Sequence, residues 1–197
     1  MIQYLTGERM RKFIVIVIVI LLSLPLAARD FGFIGINAGY SSRSDAALIG
    51  FNGTYSYLPD VSRNVSIGFG THTDFAIGIS KPDDIPLFIG SVFGLAMEFR
   101  INDMMAFVII LGPCIVAEAD ENNTAVGLGP GLDAAFTLGF GKNSIAGFAL
   151  GTTLYPNFSL LSESRDSFGF SVMGYAGVTF RFPATAIVIP VVAYLLD

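Results

Sequence analysis

The sequence has no tryptophan, one histidine and one cysteine among its 197 residues, and only 14% of it is charged. The lone Cys114 excludes an internal disulfide. Long hydrophobic runs are missing as well. Beyond residue 28 the longest strongly apolar, uncharged stretches are Met104–Ala117 and Phe182–Leu196. Pro113 interrupts the first, and Pro183 and Pro190 interrupt the second. Both fall short of the roughly 18 residues that a spanning helix needs. Yet 53% of the chain is hydrophobic, with 22 glycines and 18 phenylalanines, too much apolar material for an ordinary soluble domain. A membrane-like composition without membrane-length helices points to strands, because only helices and closed barrels satisfy every backbone group in lipid.

The N-terminus reads as a targeting segment. Arg11 and Lys12 precede a ten-residue apolar core, Phe13–Leu22, and Ser-Leu-Pro-Leu-Ala-Ala follows, ending at Ala28. This is the pattern of a secretory signal peptide spanning residues 1–28 and cut after Ala28. Met10 begins a tidier signal than Met1 does. No cysteine lies at the cleavage region, which excludes a lipoprotein. From Arg29 onward eight Lys/Arg stand against fifteen Asp/Glu, an acidic balance that argues against a nucleic-acid partner.

Alternation with period two dominates the rest. Over residues 65–79 one face reads Val65, Ile67, Phe69, Thr71, Thr73, Phe75, Ile77, Ile79, and the other is mostly Gly, Ser, His72 and Asp74. Residues 87–101 and 168–182 alternate in the same way. Each run covers around fifteen residues, where about 9–11 cross a bilayer at a tilt. Residues 46–57, 125–140 and 146–160 are nearly as regular, and 31–40 is weaker. Residues 104–117 are apolar on both faces, and we assign Phe107, Ile109, Leu111 and Ile115 to lipid. Seven short breaks rich in Gly, Asn, Asp and Pro separate the runs: 41–45, 59–64, 80–86, 102–103, 118–124, 141–144 and 161–167. The expected fold is therefore all-β, an eight-stranded antiparallel transmembrane barrel with short loops over residues 29–182. Bacterial single-chain barrels have such an even count. An apolar tail of unassigned role follows at 183–197.

The polar face of each run decides what the apolar face meets. A soluble barrel would cover its polar side with Lys and Glu. Here that side is Gly, Ser, Thr and Ala. Of the charges from Arg29 onward, and apart from the chain ends, only Asp74, Glu98, Arg100, Asp133 and Arg181 lie on strands. The polar side suits a narrow lumen, so the apolar side meets lipid. Aromatic girdles are expected from Tyr55, Tyr57, Phe99, Phe140, Phe180 and Phe182 at one end, and from Tyr40, Phe158 and Phe168 at the other.

The candidate site residues all lie on the lumen face. His72 and Asp74 share one strand and read as a lumen hydrogen-bond pair, because catalysis would need a nucleophile that the sequence does not place beside the single histidine. Asp133 is a third lumen carboxylate. Glu98, Arg100 and Arg181 fall near the same end on strands that stand opposite each other. They are expected to form an ion network filling that end, or else a gate with a net positive collar. Glycines at 68, 70, 127, 129 and 131 remove side-chain volume from the lumen wall. Gly127-Leu-Gly129-Pro-Gly131 lacks the Lys and helix of a phosphate loop. The acidic run from Glu118 to Asn123 matches no calcium-loop spacing and reads as a solvated turn. No cofactor, metal or catalytic residue is assigned, and the chain is not read as an enzyme.

Tyr175, Gly177, Phe180 and Phe182 form a polar-x-Gly-x-x-aromatic-x-aromatic ending. It resembles the terminal-strand signal that the bacterial outer-membrane assembly machinery recognises. By size, strand number and signal peptide, the segment from residue 29 resembles the small eight-stranded outer-membrane barrels: OmpW-like proteins, OmpX-like proteins and the OmpA membrane domain. The resemblance implies a cell outer membrane location, surrounding outer-membrane lipid, and assembly through that machinery. It also implies termini in the periplasm, so that the odd-numbered breaks face outside and form an acidic rim. An OmpW-like role implies a narrow porin-like channel for small hydrophobic solutes. The alternative is a non-transporting structural or adhesin-like surface-contact barrel, which a lumen filled by the Glu98, Arg100 and Arg181 network would favour.

Overall fold

The structure, a computed structural model, describes residues 29–80, 85–119, 124–140, 145–162 and 168–183. The expected signal peptide over residues 1–28 and the tail after Pro183 lie outside them. The strands are β1 (Arg29–Ser41), β2 (Ala46–Leu58), β3 (Asp60–Ser62), β4 (Val65–Gly78), β5 (Leu87–Arg100), β6 (Met105–Ala119), β7 (Thr124–Gly139), β8 (Ala146–Ser162) and β9 (Phe168–Pro183). Sequential wall strands pair antiparallel. β9 returns to pair with β1, and β2 pairs with β4, so the sheet closes on itself. Closure removes the unpaired edges that lipid would not tolerate. The three-residue β3 pairs only with the end of β4, which leaves a wall of eight strands.

The apolar stripe of every strand is outside. Ile36 and Phe69 are more than 70% exposed, and Ile49, Phe51, Phe93, Leu95, Phe148, Leu150 and Phe170 share that surface. On β6, where both faces are apolar, Phe107, Leu111 and Ile115 point outward while Val108, Ile110 and Val116 are buried. Tyr55, Phe99 and Phe140 ring one end, and Tyr40, Phe158 and Phe168 ring the other. A belt of this kind is stable only against hydrocarbon.

Glycine and proline shape the wall locally. A Cβ on Gly177 would run into the backbone of Ile34 and Gly35, so this glycine lets β9 and β1 close together. Pro113 and Pro130 sit opposite each other on β6 and β7. The β7–β8 pairing skips the segment that holds Pro130 and Pro156, neither of which has an N–H to give. In the β1–β2 turn Asp45 takes a left-handed φ of 45°, a conformation that Asp tolerates better than most residues. Its carboxylate accepts from the Tyr40 hydroxyl at 2.7 Å. At the other end Asn102 Oδ1 accepts from both Met104 N and Met105 N at 2.8 Å, an Asx turn that reverses the chain from β5 to β6.

Candidate functional site

In a wall of eight strands, the strand four places around stands opposite. β5 therefore faces β9, β4 faces β8, and β1 faces β6. Each of these facing pairs is joined across the lumen by side chains, at three different depths.

The first junction lies at the near mouth, the end that holds Arg29 and Pro183. Glu98 of β5 is buried and pairs with Arg181 of β9 across the barrel. Arg100 Nε lies 3.3 Å from the other Glu98 oxygen. The Arg100 guanidinium also bonds Asp60 and Ser66, and the Ser66 hydroxyl donates to Asp60 at 2.7 Å. The expected net positive collar does not form. β3 folds back onto the end of β4 and carries Asp60, a turn residue by sequence, into the network, so two arginines meet two carboxylates.

The second junction fills the middle. His72 and Asp74 of β4 are fully buried, with Nε2 and Oδ2 3.2 Å apart. His72 Nδ1 lies 2.7 Å from Thr54 Oγ1 on β2 and 3.5 Å from Asp133 Oδ1 on β7. Asp74 accepts from Asn37 on β1 at 2.6 Å and from the Tyr155 hydroxyl on β8 at 2.8 Å. Thr153 of β8 lies 3.0 Å from His72 Nε2 and donates to Asp133 at 3.1 Å. Tyr175 of β9 donates to Asp133 at 2.7 Å and stacks on the His72 ring with centroids 4.9 Å apart. Six strands thus contribute side chains to one buried network. Buried polar groups are tolerated when they are bonded in this way.

The third junction lies at the far mouth. The Ser41 hydroxyl of β1 donates to Glu118 Oε1 of β6 at 2.7 Å, and Ser171 of β9 donates to Ser41 at 3.2 Å. Arg43, in the β1–β2 turn, reaches inward and donates to Asn157 Oδ1 of β8 at 2.9 Å. Glu118 departs from the sequence expectation. β6 runs on to Ala119, so this residue is a buried wall residue and not part of a solvated turn.

Between the junctions apolar side chains fill much of the interior, beside buried Ser56, Thr137 and Thr179. Phe31, Phe33, Leu48, Phe88, Val92, Val108, Ile110 and Met173 are buried there. The lumen glycines do not hold a passage open. A Cβ on Gly131 would lie 2.6 Å from Val92 Cγ2 and 2.7 Å from Cys114 Cβ, one on Gly70 would lie 3.0 Å from Ile110 Cδ1, and one on Gly127 would meet the Asn157 side chain. Those on Gly68 and Gly129 would strike the backbones of Tyr57 and Pro156. Where a glycine removes volume, a large side chain or the neighbouring strand has taken it up, as close packing demands.

The structure therefore brings the sequence candidates together in two groups, Glu98 with Arg100 and Arg181, and His72 with Asp74 and Asp133. Sequence reasoning did not single out Tyr155, Ser41, Arg43 or Asp60. The sequence places Tyr175 on the inward face of residues 168–182 but gives it no bonding partner there. The aromatic ending places Tyr175 inside, Gly177 at the closing seam and Phe180 on the strand that pairs with β1; the backbone of Phe182 pairs with Asp30. Among the described residues no group of three His, Cys, Asp or Glu is arranged to hold a metal ion.

No protein-family profile and no curated protein matches the sequence. Solved structures do resemble the fold. Ail, the attachment invasion locus protein of Yersinia pestis, superposes with a TM-score of 0.52 at 14% identity, over 79% of this chain and 99% of that one. Neisserial surface protein A superposes with a TM-score of 0.52 at 11% identity, over 79% of this chain and 97% of that one. The fold is that of the small eight-stranded outer-membrane barrels.

Proposed function

We propose that this chain is exported by a cleaved signal peptide, assembles in the outer membrane, and acts there as a non-conducting barrel whose work is done by its outward surface. The observation that carries the reading is the triple closure of the lumen. Glu98–Arg181, Asp74–Tyr155 and Ser41–Glu118 join opposite walls at three depths. A small solute would have to break all three in series. Each broken junction leaves buried polar or charged groups without partners, at a cost of about 1–3 kcal/mol for each group and more where it is charged. A narrow porin-like channel for small hydrophobic solutes needs a continuous path, and the space beside the lumen glycines is occupied. The reading assigns no catalytic residue or cofactor, since His72 is enclosed by Thr54, Asp74, Asp133, Thr153 and Tyr175. Among the structural neighbours, one is an attachment invasion locus protein and one a surface protein, names in keeping with contact at a surface. The sequence also ends β9 with the aromatic pattern expected to engage the assembly machinery.

Single-channel recording of the refolded protein in planar bilayers tests this reading. No conductance steps are expected. A steady, ion-selective conductance from correctly folded protein would overturn it in favour of transport.

A further inference from the structure

The far mouth holds two opposite charges that are not paired with each other. Glu118 is only 6% exposed. One of its oxygens accepts from Ser41, while Oε2 is buried without a hydrogen-bond partner. The Arg43 guanidinium uses Nη2 on Asn157 and packs over Gly169, while its Nη1 is buried without a partner. Ser41 gives its hydroxyl to Glu118 and receives the Arg43 backbone N–H at 3.3 Å, so both residues belong to the same mouth. Asp30 Oδ1 and Asp133 Oδ2 are also buried without a hydrogen-bond partner, whereas the near-mouth charges Glu98, Arg100 and Arg181 pair ionically. Burying a carboxylate oxygen and a guanidinium nitrogen unbonded is unfavourable, and a single guest with both charges would satisfy both.

We propose that the far mouth is a binding site for a small zwitterionic group. Its ammonium would donate to Glu118 Oε2, and its carboxylate or phosphate would accept from Arg43 Nη1. An amino acid and a zwitterionic lipid headgroup share this chemistry, and the probes separate them. The inference rests on the surface-contact reading for which mouth meets the outside. Binding does not require conduction: a barrel that conducts yet still binds would sink that reading and leave this one standing.

The test uses the refolded chain from Arg29 in detergent micelles, 15N-labelled, with folding verified by heat-modifiable gel mobility. Glycine, β-alanine, γ-aminobutyrate and phosphoethanolamine are titrated in, with ethylammonium and acetate as single-charge probes. We expect amide shifts at Ser41, Arg43 and Glu118 and at least one zwitterion bound about tenfold tighter than either single-charge probe. A preference for phosphoethanolamine over the amino acids would identify a headgroup site, and the reverse a free amino-acid site. Glu118→Gln and Arg43→Gln should each weaken binding about tenfold. Glu118→Asp, which keeps the charge, should fall between wild type and Glu118→Gln, and Arg63→Gln in the near-mouth turn should change nothing. The proposal is overturned if no probe shifts the far-mouth amides, if ethylammonium binds as tightly as every zwitterion, or if a folded Glu118→Gln protein binds as wild type does.

Discussion

Tyr155 on β8 and Asp74 on β4 face each other from opposite walls, and the phenol donates to the carboxylate at 2.8 Å. The same hydroxyl lies 3.2 Å from the Gly90 carbonyl oxygen on β5. A Cβ on Gly90 would sit 2.8 Å from Tyr155 Cζ, so the absent side chain of one strand makes room for the ring of another. One tyrosine thereby ties three strands together.

Because the three junctions lie in series, opening one leaves the lumen shut. Arg100→Ala combined with Arg181→Ala should remain non-conducting in planar bilayers, since Asp74–Tyr155 and Ser41–Glu118 still close the barrel. A folded double mutant that conducts would place the whole barrier at the near mouth.

Glu98 holds two arginines that are themselves partly exposed, Arg100 and Arg181 at 14% and 20% of their side-chain surface. Breaking a fully buried pair costs about 3–5 kcal/mol, and access to water lowers that here. Glu98→Gln should therefore destabilise the barrel by about 1–3 kcal/mol in urea unfolding from lipid vesicles. Adding Arg181→Gln should recover part of the loss, because the double change removes the unpaired cation along with its lost partner. A strictly additive double mutant would show that the two side chains do not interact.

The outside of this barrel was legible in the sequence and much of the inside was not, for a physical reason. Lipid contact is a property of single residues at period two, so Phe69, Phe93 and Phe148 announce their face by their own chemistry. Even Phe107 and Leu111 on the doubly apolar β6 follow once the neighbouring strands are placed. The lumen junctions are pair properties across the axis. Tyr155 lies 81 residues from Asp74 and Glu118 lies 77 from Ser41, and no periodicity links such partners. Glu98, Arg100 and Arg181 were found only because long charged side chains at one depth are rare enough to be noticed. Glu118 reads as loop in the sequence because Asp120, Glu121 and Asn122 follow it, although the inward phase of β6 passes through Val108, Ile110, Cys114 and Val116 and lands on it. Asp60 gave no signal, since its place depends on β3 folding back.

The packed glycines predict a steric response. On Gly131 a Cβ would lie within 2.7 Å of both Val92 and Cys114. Gly131→Val should cost about 1–3 kcal/mol in the same urea assay, as overpacking does. Val92→Ala in the Gly131→Val background should relieve part of the loss by giving back volume. An open lumen would accept the valine at little cost, and Val92→Ala would then bring no relief.

The exterior makes the sharpest demand. Phe93 lies midway along β5 and faces outward, with Leu87 and Phe99 toward the two ends of the same stripe. Arginine costs about 2–4 kcal/mol on the lipid face at the bilayer midplane and about 0–1 near the interfaces. Phe93→Arg should therefore destabilise the vesicle-embedded protein by about 2–4 kcal/mol, and Phe99→Arg by about 1 or less. The ordering is what matters. Both positions lie on the same strand and the same face, and both lose a phenylalanine, so loss of packing alone predicts similar penalties. Only a depth-dependent surrounding medium separates them. Equal and small penalties at both positions would mean that water covers this face, and the barrel would then be a soluble one.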